Sequence, residues 1–205
     1  MLKDLTKQEL ENRIAGLCAA LTKSNSHWDT AFVINRINQY YLTGTMQDGL
    51  FILKKDGSYA YFVRTSYERA KMESPLKNIY QMGSYRDAAK ILGEKCGETY
   101  IETEVVTIGI TERLKKHFLI DKINPLDKVL FAIRSVKSPY ELYWMEESGR
   151  QHKYLLENIV PSILTEGMNE ADFTAMLFQK MINLGYHGVS RFSRSTRRRS
   201  TLAPR

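Results

Sequence analysis

Four histidines, two cysteines and an arginine–tyrosine pair are the side chains of this chain best suited to bind or transform a substrate. Histidine alone titrates near neutrality without help from its surroundings. His27 precedes an expected strand, His117 closes a basic helix and His152 sits mid-helix among polar neighbours, so all three read as surface or helix-end residues. His187, between Gly185 and Gly188 at the start of another expected strand, is the candidate for a substrate contact, because loop residues held by a scaffold carry function disproportionately. Arg64 and Tyr67 follow an expected hairpin. The planar guanidinium of Arg64 can hold a carboxylate through two hydrogen bonds; the plainer reading is a solvated or locally paired surface residue. Cys18 and Cys96 lack the CxxC or Cys/His neighbourhood of a zinc or redox site and are expected as buried thiols. Beyond Lys137 the acids Glu141, Glu146, Glu147, Glu157, Glu166, Glu170 and Asp172 fall on expected helices or their caps, the pattern of a solvated face. No catalytic residue and no metal ligand is assigned within the chain.

The elements that must position these groups divide into two kinds. The first 132 residues read as an α/β domain, a mixed β-sheet flanked by helices. Thr6 and Glu9 have capping-box spacing at the start of a helix whose apolar face runs from Leu10 to Leu21. Residues 28–34 read as a strand, and Tyr40 and Tyr41 as half-buried sheet residues. Residues 50–54 and 58–64 are β-rich runs joined by Lys55-Asp56-Gly57, where Asp-Gly supplies the left-handed backbone of a tight turn. A short helix over 66–72, a strand over 78–82, a helix from Ser84 towards Cys96 stopped by Gly97, strands over 99–101 and 105–108, a helix over 111–118 and a strand over 128–133 complete the expectation. Ser138-Pro139-Tyr140-Glu141 then combines an N-cap serine, a proline at the first helical position and a glutamate three residues after the cap. That helix is expected to bury Leu142, Met145, Leu156 and Ile159 and to end at Pro161, and a second follows from Asn169 to the stop at Gly185.

Ile133-Arg134-Ser135-Val136-Lys137-Ser138-Pro139-Tyr140-Glu141-Leu142, placed after such a domain and before a long helix, resembles the junction in the Xaa-Pro aminopeptidase, prolidase and creatinase family. Tyr41-Leu42-Thr43-Gly44, the hairpin and Tyr67-Glu68 resemble that family's N-terminal domain. Glu166 to Asp172 and Gly185 to Ser190 resemble the opening of its pita-bread catalytic domain. The resemblance implies residues 1–132 as the N-terminal domain, 133–193 as the first two helices of a truncated catalytic domain, and 194–205 as a foreign or frameshifted, disordered tail. It also implies two divalent metal ions (Mn, Co or Zn) in a longer parent, held by aspartates, a histidine and glutamates that this chain does not reach, one ion generating hydroxide near neutral pH. A creatinase-like parent would need no metal. The implied function is therefore the N-terminal part of an Xaa-Pro aminopeptidase-like hydrolase, silent by itself, which would act in full length on proline-containing peptides as a homodimer. In that setting His187, Arg64 and Tyr67 are the substrate-binding candidates. The alternative is a non-catalytic protein-binding or dimerisation module built on the same fold.

Composition narrows the setting. The net charge of +7 concentrates in Arg194–Arg205, whose five arginines leave +2 for the remainder, so a nucleic-acid partner is not expected. The N-terminus has no signal-type apolar stretch and no run approaches the roughly 20 apolar residues of a membrane helix. A cytoplasmic location with no membrane partner is the expectation.

Overall fold

The structure, a computed structural model, describes residues 5–186. The chain divides between Leu142 and Tyr143 into two compact units. In the first, six strands form one sheet in the order β4-β3-β2-β1-β5-β6: β1 (Thr30–Val33), β2 (Gly49–Lys54), β3 (Tyr59–Val63), β4 (Ile79–Gln81), β5 (Lys95–Ile101) and β6 (Leu119–Pro125). β1 to β3 pair antiparallel, while β3 with β4, β1 with β5 and β5 with β6 run parallel. β1 and β2 are buried along almost their whole length. They therefore read as continuous apolar runs, as strands covered on both faces must.

Helices cover both faces. Alternate sheet residues Ala31, Val33, Phe51, Leu53, Tyr61 and Val63 pack with α1 (Lys7–Ser24), α2 (Arg36–Thr43), α3 (Tyr67–Glu73) and α6 (Asp127–Ser135). Phe32, Leu50, Ile52, Ala60 and Phe62 face the other way, towards α4 (Tyr85–Leu92) and α5 (Ile108–Lys115). The expected hairpin forms with its register intact, and Gly57 takes φ +84° at the turn.

Several expectations are corrected. Tyr40 and Tyr41 lie on α2, not in the sheet; Asn35 caps that helix by accepting the Ile37 N–H, and Gly44 closes it at φ +77°. The helix from Ser84 stops at Leu92, with Gly93 at φ +83°, so Cys96 and Gly97 belong to β5. Gly97 instead allows a bulge there, at φ +54°. Residues 105–108 turn into α5 rather than forming a strand. The strand expected over 128–133 is helix α6, whose inward residues Leu126, Val129, Leu130 and Ile133 recur at helical spacing. The sheet edge is β6, just upstream. Only half of the Thr6/Glu9 capping box forms: Thr6 Oγ1 accepts the Glu9 N–H, but the Glu9 carboxylate turns elsewhere.

The second unit holds the rest of α7 (Pro139–Tyr154), a π-helical turn (Leu155–Ile159), α8 (Val160–Ile163) and α9 (Glu170–Asn183). Among the described residues of this unit Leu155 and Ile163 are the buried apolar ones, whereas Met145 and Leu156 are exposed, as is Leu142 just before the division. The expected stripe is thus not the buried one. The π turn inserts one extra residue and can bear only on Leu156 within it; Leu142 and Met145 precede it, and no residue of α7 is buried. The helical path also continues through Pro161, which sits in the first turn of α8, where no N–H is needed. Asn169 caps α9 by accepting the Asp172 N–H, and Gly185 follows its end at φ +89°. Among the described residues no helix is long and apolar enough to cross a membrane.

Candidate functional site

The end of β3 is where chemistry-bearing side chains meet the surface. Arg64 extends the hairpin ladder by one step, its N–H donating to Asp48 O at 2.8 Å. Its exposed guanidinium lies 5.4 Å from the centre of the Tyr85 ring, and no carboxylate is within ion-pair distance among the described residues. A cation stacked on an aromatic face keeps its outer N–H groups free, so Arg64 retains the capacity to bind a carboxylate. Ser66 follows with φ 57°, the one non-glycine residue with positive φ among those described. The chain then enters α3 at Tyr67.

Tyr67 does not join Arg64. Its ring packs against the core on the α1/α2 face, with its hydroxyl 3.5 Å from Ile79 O and Lys71 Nζ 5.3 Å from the ring centre. Tyr85, on which Arg64 stacks, packs against the opposite core. Alternation along β3 and the turn after it places the two candidates on different faces of the sheet. The third, His187, lies outside the described residues. Of the other histidines, His27 is exposed, and His152 Nδ1 is 3.3 Å from Tyr186 Oη.

Around Tyr67, α3 and the loop after α2 build a polar cluster that the sequence did not announce. Thr45 Oγ1 and Arg69 Nε each donate to the Glu73 carboxylate at 2.6 Å, and Gln47 Nε2 donates at 3.3 Å. These donors, Thr45 first, hold the Glu73 pKa below its usual value. Buried Gln39 donates to Val33 O and Gly49 O, tying α2 to the ends of β1 and β2. Tyr61 donates to Gln47 O at 2.6 Å, and burial pushes its phenol far above the usual range.

A depressed carboxyl pKa adds stability that is fully present above the unfolded value and is lost as pH falls through the folded one. For Glu73 that loss occurs below 4.5. Thr45→Val should move the Glu73 titration, followed by NMR, up towards 4.5. The stability gap between the two proteins should then shrink on acidification, and an unmoved titration would show that Thr45 is not the principal cause.

No three His, Cys, Asp or Glu side chains gather as a metal site among the described residues. A groove of about 720 Å³ beside α1, lined by Ile14, Cys18 and Tyr59 among others, is apolar, and burial raises the Cys18 thiol pKa, which keeps it protonated. That burial disfavours the thiolate that would act as a nucleophile.

A mixed six-stranded sheet between two helical layers, with an arginine presented at the end of its hairpin, defines a three-layer α/β domain. The profile of the Creatinase/Prolidase N-terminal domain matches residues 13–136. The chain belongs to that family.

Among curated proteins it is 23% identical over 173 residues to an uncharacterized peptidase of Staphylococcus aureus, covering 82% of this chain and 49% of the relative. It is 25% identical over 149 residues to the Xaa-Pro dipeptidase of Pyrococcus furiosus, covering 72% of this chain and 42% of that protein. Its fold matches the prolidase from Pyrococcus horikoshii with TM-score 0.71 at 23% identity, over 84% of this chain and 49% of the other. The Xaa-Pro dipeptidase from Bacillus anthracis matches with TM-score 0.73 at 17% identity, over 85% and 49%. The chain thus spans about half the length of the curated relatives it first matches.

Proposed function

We propose that this chain is the N-terminal part of a peptidase that cleaves Xaa-Pro bonds, its α/β domain helping to shape a substrate site and residues from 133 onward beginning the catalytic half. The observation that carries this reading is the family match over residues 13–136, joined to similarity that covers 72% of this chain in a curated Xaa-Pro dipeptidase and 85% in a solved one. Within it, Arg64 is the residue to hold a peptide carboxylate across a homodimer interface, being exposed, stacked and without an acidic partner among the described residues.

On this reading the chain by itself is silent, a proposal supported by the finding that no three His, Cys, Asp or Glu side chains gather as a metal site among the described residues. The test is direct. The purified 205-residue chain, supplied in turn with Mn, Co or Zn, should neither cleave an Xaa-Pro dipeptide nor retain two ions per chain on dialysis. Turnover with stoichiometric metal would overturn the reading.

A further inference from the structure

We infer that the first turn of α7 is anchored by the α/β domain and not held by local sequence alone: Glu9 and Arg13 of α1 hold its cap in place, and with Arg134 they clamp the α6–α7 elbow from both sides. The inference goes beyond the proposed peptidase function and does not depend on it. Locally the cap is already complete. Ser138 N–H donates to Glu141 Oε2 at 3.0 Å, and the Glu141 N–H donates to Ser138 Oγ at 3.2 Å. The serine hydroxyl still has a proton to give, and it goes to Glu9 Oε1, 2.6 Å away and 129 residues earlier. That is where the carboxylate missing from the Thr6 cap has gone.

Arg13 completes the arrangement. Only 8% exposed, it donates through Nε to Glu9 at 2.9 Å and through Nη1 to Tyr41 O at 2.9 Å. Its Nη2 lies 2.9 Å from Glu9 and 4.0 Å from Glu141. One guanidinium therefore sits between two carboxylates from different elements, and without it they would face each other across a half-buried site. A planar fork can serve three directions at once, which a lysine ammonium on a flexible stem does poorly.

Upstream of the elbow, Arg134 in the last turn of α6 donates to Asn38 Oδ1 at 2.8 Å. Arg13 and Arg134 both lie over the Tyr41 ring, with Cζ 4.6 and 6.0 Å from its centre. Three residues, Val136 to Ser138, separate α6 from α7, and both ends of that connection are held to α1 or α2. The first turn of α7 accordingly belongs to the first unit, which runs to Leu142.

Hydrogen exchange in the full chain tests the clamp, because the Leu142 N–H is protected by Ser138 O at 2.9 Å. Arg13→Lys should speed exchange in a peptide covering residues 139–146 at least tenfold more than in the β2–β3 hairpin. An unchanged rate, or acceleration shared equally with the hairpin, overturns the inference. Glu9→Gln provides a second arm should the buried arginine resist replacement. It should accelerate the same peptide severalfold in the parent chain but less than twofold in a Ser138→Ala background. Effects that multiply would mean that Glu9 and α7 are independent, and would equally overturn it.

Discussion

Replacing Glu102 with alanine is expected to destabilise the α/β domain by about 3–5 kcal/mol, the range for removing one partner from a buried ionic arrangement. Glu102 is fully buried at the end of β5. Its carboxylate accepts the backbone N–H groups of Ile34 at 2.6 Å and Asn35 at 2.7 Å, and Asn38 Nδ2 at 2.5 Å. Those donors lead into α2, whose amino end carries partial positive charge that favours an anion. Asn38 in turn accepts from Arg134, so the carboxylate, the amide and the guanidinium form one chain from β5 to α6. Alanine would leave two backbone donors and one amide without their acceptor, each unmade bond costing on the order of 1–3 kcal/mol. Glutamine keeps the shape but turns an NH2 towards at least one donor, and should recover only part of the loss. Urea unfolding reads the effect as a lowered midpoint at unchanged slope. A shift under about 1 kcal/mol would show that water or a rotated side chain replaces the carboxylate.

Gly49→Ala should be nearly as damaging, at about 3 kcal/mol, the upper end of ordinary overpacking. Gly49 pairs with Val63 at the start of β2, and a Cβ there would lie 2.2 Å from the carbonyl oxygen of Phe62. The obstacle is backbone inside a paired strand, so it cannot swing aside as a side-chain tip would. Gly57→Ala is the control. A Cβ at Gly57 meets nothing within 4 Å, leaving only the strain of φ +84°, about 1–2 kcal/mol. Thermal midpoints should therefore fall clearly further for Gly49→Ala than for Gly57→Ala. The reverse order would place the strain in the turn and not in the close approach.

What was legible in the residues follows from the range of the interactions concerned. Asp56-Gly57, the Ser138-Pro139 cap, Asn169 and Gly185 act within a turn of chain, and each does in the structure what its type and spacing suggest. Helix α2 carried equally local marks, Asn35 before it and Gly44 after it, but its two tyrosines suit a strand as well as a helix. Residues 128–133 misled for a related reason. A short apolar run fits a buried strand or a buried helix, and only the inclusion of Leu126 makes the helical period visible. Arg64 could be picked out as an exposed residue, but its separation from Tyr67 could not. Which face each takes depends on strand register and on the left-handed step at Ser66.

The sequence by itself determined the α/β class, the hairpin, most helix starts and stops and the family resemblance, because each rests on neighbouring residues or on the order of short motifs. Tertiary structure alone decided that Glu102 holds the backbone at Asn35, 67 residues upstream, where α2 begins, and that the Glu9 side chain turns from its own helix to hold Ser138. Such contacts join a charge to a donor across the closed fold. They leave no period and no spacing along the chain, since the chain between them is free to take any length that lets the two ends meet.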